Sequence, residues 1–175
     1  MTAGHLLASK LPLMVGALLL LGSCAPAEVL PAGENVSLDP AAFFIGHSRG
    51  IGRLSKIIGS PQAVIVESVG RQDRQGRLLL DQRIRTGNKP VQTRRWIMVR
   101  SGANSFTGSL TDAKGPVSIS ASGPRAFIRY EMKNGIEVTQ TLALQRDGKT
   151  ILNRLTARRL GVRLAHLEET IRKLD

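Results

Sequence analysis

From Phe43 onward apolar residues recur at every second position in short runs, and each run ends in a turn signal. A period of two marks strands with one buried face. Phe43 to Arg53 (FFIGHSRGIGR), Ala63 to Val69, Arg77 to Arg85, Val91 to Arg100, Ser105 to Thr111 and Val117 to Ala121 each read this way. In Arg77 to Arg85, Leu80, Gln82 and Ile84 oppose Asp81, Arg83 and Arg85. In Val91 to Arg100, Thr93, Arg95, Ile97 and Val99 oppose Gln92, Arg94, Trp96, Met98 and Arg100. Three later runs are sharper. Arg125 to Lys133 sets Ala126, Ile128, Tyr130 and Met132 against Arg129 and Glu131, and Asn134-Gly135 then supplies the two positive-φ positions of a tight hairpin. Ile136 to Gln145 follows, then a second tight turn at Asp147-Gly148, then Thr150 to Arg159.

That makes about nine strands. Their connections are mostly two to six residues, whereas parallel neighbours need crossovers of a dozen or more. The chain is therefore expected to be mainly β, an antiparallel up-and-down meander. An open meander leaves two bare edges, so closure as a barrel or half-barrel is the natural solution. The last segment breaks the pattern. Leu160, Leu164, Leu167, Ile171 and Leu174 are spaced four, three, four and three, which is one face of a helix. Glu168 and Glu169 precede Arg172 and Lys173 on the other side. The spacing predicts an amphipathic helix over Val162 to Leu174, packed against the barrel or plugging one mouth.

The N-terminus is of another kind. Lys10 precedes the apolar run from Leu11 to Gly22, which is the order of a secretory signal and is short for a membrane span. The run ends in Leu21-Gly22-Ser23-Cys24, which resembles the lipobox of bacterial lipoproteins. The resemblance implies cleavage before Cys24 and lipid on its sulfur and new amino group. Ala25, rather than Asp, follows the cysteine, which by the same resemblance points to the outer membrane, at the inner leaflet facing the periplasm. The expected organisation is a signal peptide over 1–23, a lipidated cysteine and tether over 24–42, and the barrel with its helix over 43–175. Ala25 to Pro40 has three prolines and no hydrophobic period, and its 16 residues could reach roughly 50 Å if extended.

Charge changes the picture of partners. The chain has 25 Lys and Arg against 13 Asp and Glu; the leader holds only Lys10, so the remainder carries +11. Most cations are Arg, which suits carboxylate and phosphate forks. Such a balance often marks nucleic-acid binding, but an exported, lipid-anchored chain would not meet nucleic acid. Anionic lipid head groups are the better partner. Cys24 is the sole cysteine, which excludes disulfides and thiolate metal sites. His47 and His166 without clustered carboxylates make a poor metal site, and no cofactor motif is present.

Several stretches together resemble one family. They are FFIGHSRGIGR, the Trp96 strand RRWIMVR, FTGSLTDAKG, the Tyr130 strand, and TILNRLTARRLGVRLAHLEETIRK with Asn153-Arg154 and Gly161. The family is one of bacterial lipoproteins of unknown function with a lipocalin-like barrel. The resemblance covers Phe43 to Lys173 and implies fold and compartment, not a reaction.

Candidate site residues follow from the strand faces. Trp96 either fills the barrel floor or lines a cavity with its indole N–H toward a ligand. Arg83, Arg85, Arg94, Arg95, Arg129, Arg154, Arg158 and Arg159 sit on strands, where alternate positions form rows, so some of these eight should converge on a basic surface. Pairing with Glu67, Asp81 and Glu131 is the alternative. Gly46, Gly50 and Gly52 are expected to mark bends or close backbone approach, and Gly135 and Gly148 the hairpin turns. Gly46-His47-Ser48-Arg49-Gly50 matches the G-x-S-x-G of serine hydrolases, and Asp147 and His166 follow in that order. The elbow must open a helix below a parallel sheet, and neither is predicted here. The expectation is therefore a non-enzymatic envelope lipoprotein that binds an amphipathic anion such as a fatty acyl chain or phospholipid. The alternatives are a structural protein with a solid barrel that binds another protein and, last, an esterase.

Overall fold

The computed structural model describes Met1 and residues 29–175; the predicted signal peptide, Cys24 and the start of the predicted tether lie outside the described residues. Ten strands follow one another in the chain. They are β1 (Gly46–Lys56), β2 (Gln62–Gln72), β3 (Leu78–Thr86), β4 (Gln92–Gly102), β5 (Ser105–Leu110), β6 (Val117–Ser122), β7 (Arg125–Glu131), β8 (Glu137–Leu144), β9 (Thr150–Arg159) and β10 (Val162–Lys173). Each pairs antiparallel with the next, and β10 pairs with β1, so the sheet closes into a ten-stranded barrel. The expected meander is present and has no free edge.

The predicted C-terminal helix is not. Residues Val162–Lys173 form β10, which lies between β9 and β1. The register shifts between Arg163 and Ala165, so Leu164 falls out of phase. Beyond that bulge Ala165, Leu167, Glu169 and Ile171 line the lumen at period two. The bulge made a strand resemble a helix in its leucine spacing. Long-range pairing then decided the outcome, because a helix here would leave the inward edges of β1 and β9 unpaired.

The predicted tether also differs from 29 onward. Leu30 and Leu38 are buried, the Gly33 N–H donates to the Leu144 carbonyl (2.8 Å) and the Leu38 N–H to the Gly123 carbonyl (2.9 Å). This strap leads into α1 (Pro40–Phe43), the one helix among the described residues. Asp39 caps it by accepting from the Ala41 and Ala42 N–H groups (2.9 and 3.2 Å), and Pro40 occupies the first helical position, where no N–H is needed. Phe43, predicted to begin the first strand, instead ends this helix. Phe43 and Phe44 pack with Leu38, Leu78, Met98 and Phe106 across one end of the barrel. Each buried phenyl ring contributes roughly 1.5–3 kcal/mol. A Cβ on Gly70 would lie 1.7 Å from the Phe44 carbonyl oxygen, so glycine there lets the plug seat. The opposite end, where Lys56, Thr86, Gln92 and Ile136 stand, is the mouth.

The tight turns follow their residues. Gly135 and Gly148 have φ of 77° and 65°, but Asn134, expected to share positive φ with Gly135, does not. The Gly135 N–H donates to the Met132 carbonyl (2.9 Å) and the Met132 N–H to the Ile136 carbonyl (2.8 Å), a longer turn that needs only one left-handed residue. The β9–β10 hairpin turns on two residues, Leu160 (φ 48°) and Gly161 (φ 79°), both left-handed as in a type I′ turn. Leucine in that conformation costs roughly 1–2 kcal/mol. Leu160→Asn should therefore raise stability by roughly 0.5–1 kcal/mol, about 1–4 °C in melting temperature for a chain of this size. Calorimetry showing an unchanged or lower transition would mean that Leu160 is not held in that strained turn.

Candidate ligand-binding cavity

The inward faces of the strands enclose a cavity of about 360 Å³. That lies within the roughly 300–1,000 Å³ of small-molecule sites. Its wall is mostly apolar, with Leu80, Trp96, Met98, Ile128, Tyr130 and Leu142 among the lining. Trp96 and Tyr130 meet edge to face, ring centres 5.7 Å apart and planes at 88°. Burial raises the Tyr130 phenol above its ordinary pKa, with the Arg94 charge opposing.

A polar strip crosses this apolar wall. The Trp96 indole N–H donates to Gln82 Oε1 (2.8 Å), and Gln82 Nε2 donates to Ser68 Oγ (3.2 Å). Arg94, toward the mouth, donates to Asp112 Oδ2 (2.8 Å) on the β5–β6 connection. On the other side Asn153 Nδ2 donates to Glu169 Oε2 (2.8 Å). Glu169 Oε1 and Asn153 Oδ1 are buried with no hydrogen-bond partner among the described residues. The glycines of β1 explain how a carboxylate fits there. A Cβ on Gly50 would lie 1.8 Å from Glu169 Oε1, and one on Gly52 2.8 Å from the Glu169 Cβ. Close approach, one of the two roles expected of them, is what these glycines allow. Gly46, at φ 87°, starts β1 beside the Asp175 carboxylate.

Of the residues singled out from the sequence, Trp96 lies in the cavity wall. Arg83, Arg85, Arg95, Arg129 and Arg154 sit at the alternate, outward positions of β3, β4, β7 and β9. They do not meet at the cavity. Arg95 clasps Asp81, which also accepts from Arg71 (3.1 Å), and Arg95 chiefly holds the Asp81 carboxyl below its ordinary range. Arg154 pairs with Glu168 (3.1 Å). Arg83 and Arg95 share an open outer depression of about 970 Å³ with Arg49, Glu67 and Asp81, cations and carboxylates interleaved. Ser48, His166 and Asp147 do not assemble either. Ser48 is buried within β1, His166 lies beside Glu168 on β10 seven residues further along the seam, and Asp147 caps the β8–β9 turn through Thr150 and Lys149. Sequence reasoning missed Glu169 and Asn153 as cavity groups. The signal was there in the two glycines of β1, which ask what large side chain they admit.

Geometry therefore defines a class: an antiparallel β-barrel closed at one end around an apolar lumen with a few convergent polar groups. The chain belongs to the DUF3833 family, described as proteins of unknown function, whose model matches residues 18–173. No curated protein matches it. Among solved structures it is similar to the S-type phycobiliprotein lyase CPES from Guillardia theta (TM-score 0.60, 5% identity, covering 77% of this chain and 90% of that one). It is also similar to Rv2717c from M. tuberculosis (0.59, 15%, 79% and 99%). A DUF3598-family protein of unknown function from Nostoc punctiforme matches over 79% of this chain at TM-score 0.59 and 12% identity, and there this chain spans half of the other's length. At such identities the likeness is one of fold, and it is consistent with a lipocalin-like barrel.

Burial raises the Glu169 carboxyl above its ordinary pKa, and the Asn153 amide opposes the shift. The folded chain thus holds a proton that the unfolded chain releases near 4.5. Stability tied to that proton is complete below the unfolded value and falls as pH rises through the raised folded value. Glu169→Gln should flatten this slope, so that the variant gains on the wild type in melting temperature as pH rises above 4.5. Parallel pH profiles for the two proteins would refute a buried, protonatable Glu169.

Proposed function

We propose that this protein is a non-enzymatic envelope lipoprotein whose lumen takes the hydrocarbon chain of an amphipathic anionic lipid, such as a fatty acyl chain or phospholipid. One observation carries the reading: the barrel is hollow, its wall apolar, and its mouth flanked by the cations Lys56 and Arg94. A chain lying against Ile128, Leu142 and Trp96 would bury apolar surface at roughly 25 cal/mol per Å². Its head would stay near the mouth, where positive charge favours an anion. A protonated Glu169 is compatible with a chain beside it. The Leu21-Gly22-Ser23-Cys24 pattern supports attachment through Cys24, and Ala25 after it supports the inner leaflet of the outer membrane, facing the periplasm.

Native mass spectrometry of the full chain extracted from membranes should show a co-purifying lipid. Leu142→Trp, which fills the lumen, should reduce that occupancy at least tenfold while circular dichroism keeps the β signature. A wild-type chain that emerges without lipid under gentle extraction would overturn the lumen reading. Attachment is tested separately. Cys24→Ser should abolish labelled-palmitate incorporation, and a variant that still takes the label would exclude the anchor at that residue.

A further inference from the structure

The mouth is asymmetric. Three neighbouring hairpins form one side of it: β1–β2, β3–β4 and β9–β10. They are joined by the Ile57 N–H to the Leu164 carbonyl (2.9 Å) and the Gly87 N–H to the Ala63 carbonyl (2.9 Å). Their tips expose large apolar side chains that a solvated loop does not need. Leu160 is 94% exposed, Ile58 84%, Ile57 65% and Val162 53%. Leu160 carries two costs at once, a left-handed backbone and a side chain in water. Nothing in the fold offsets either.

Charge on these hairpins is of one sign. Residues 54–66, 83–97 and 155–167 contain no Asp or Glu. Lys56, Arg85, Lys89, Arg159 and Arg163 stand there without an ion pair among the described residues. The amino groups of Lys56 and Lys89 are close enough that Lys89, by hydrogen bonding and then by its charge, holds Lys56 below its ordinary pKa. Two ammonium groups side by side make a ready contact for an anion. The plugged end differs in having carboxylates among its cations. Glu34, Asp39, Asp73 and Asp175 pair there with Arg146, Arg100, Arg77 and His47.

We propose that this side of the mouth is a docking surface for an anionic lipid bilayer, with Ile57, Ile58 and Leu160 entering the interface and the surrounding cations on phosphates. Apolar tips set among Lys and Arg are the complement of an anionic membrane, where each such cation contributes about 1 kcal/mol near the surface. A soluble protein partner would have to match five like charges with carboxylates and still bury the tips, which makes it the less economical occupant. The surface lies outside the lumen, so it stands or falls separately from lipid uptake.

The full chain, held in neutral phosphatidylcholine nanodiscs, can be labelled with an environment-sensitive fluorophore at Ile58→Cys or, at the plugged end, at Gln75→Cys. Vesicles of phosphatidylglycerol should shift the Ile58→Cys emission to the blue and leave Gln75→Cys unchanged; phosphatidylcholine vesicles should shift neither. Lys56→Glu with Lys89→Glu should weaken vesicle binding at least about tenfold. Leu160→Asn should weaken binding while the barrel melts no lower, which separates docking from folding. Leu142→Trp should leave the blue shift intact even where bound lipid is lost. No shift at Ile58→Cys, an equal shift at Gln75→Cys, or undiminished binding by both rim variants would overturn the proposal.

Discussion

Everything in this molecule depends on the seam between β1 and β10. Pairing runs from Ser48 opposite Lys173 to Lys56 opposite Ala165, and it turns an open meander into a closed wall. An unclosed sheet would present two rows of unpaired backbone groups and could hold no enclosed lumen. The seam also sets the chemistry inside. Because β1 carries glycine at 50 and 52, β10 can turn a glutamate inward at 169. A larger residue at 50 would collide with the carboxylate and leave either the seam or the side chain to move. Closure and cavity polarity are thus properties of the same few residues.

Much of the barrel was legible in the sequence, and the reason is local. Alternation in Arg125 to Lys133, in Arg77 to Arg85 and in Val91 to Arg100 assigns their faces correctly, down to Gln82 and Arg94 on the inward side of their strands. Turn residues such as Gly135 and Gly148 carry their φ preference with them. What failed was long-range. A bulge at Leu164 shifted the phase of β10, and its leucines then read as one helical face. Nothing in residues 162–173 alone reveals that two strand edges wait for them. Leu160-Gly161, a two-residue turn, was the local clue.

The site was less legible than the fold. Arginine rows suggested a converging basic face, but outward positions in a barrel diverge, and their carboxylate neighbours occupy several of them. Arg95 on Asp81 and Arg154 on Glu168 are of that kind. Exposed ion pairs of this sort contribute little to stability. A cluster of cations without an ion pair among the described residues lies at the mouth, with Lys56, Arg85, Arg159 and Arg163 near strand ends and Lys89 in a turn, and its significance appears only when three hairpins distant in sequence come together.

The strap along residues 29–39 has an orientational meaning. It meets the barrel at the plugged end, where Gly33 bonds to Leu144 and Leu30 to Arg125. Only four residues lie between Cys24 and Val29, so the five steps reach at most about 17 Å. Strands of some ten residues, tilted as barrel strands are, stand roughly 25 Å tall. A chain held by lipid on Cys24 would then keep its plugged end toward its own leaflet and its mouth facing outward. Such a molecule is a stalked cup. The surface it could meet rim-first belongs to whatever lies across the gap, and the short leash decides which one.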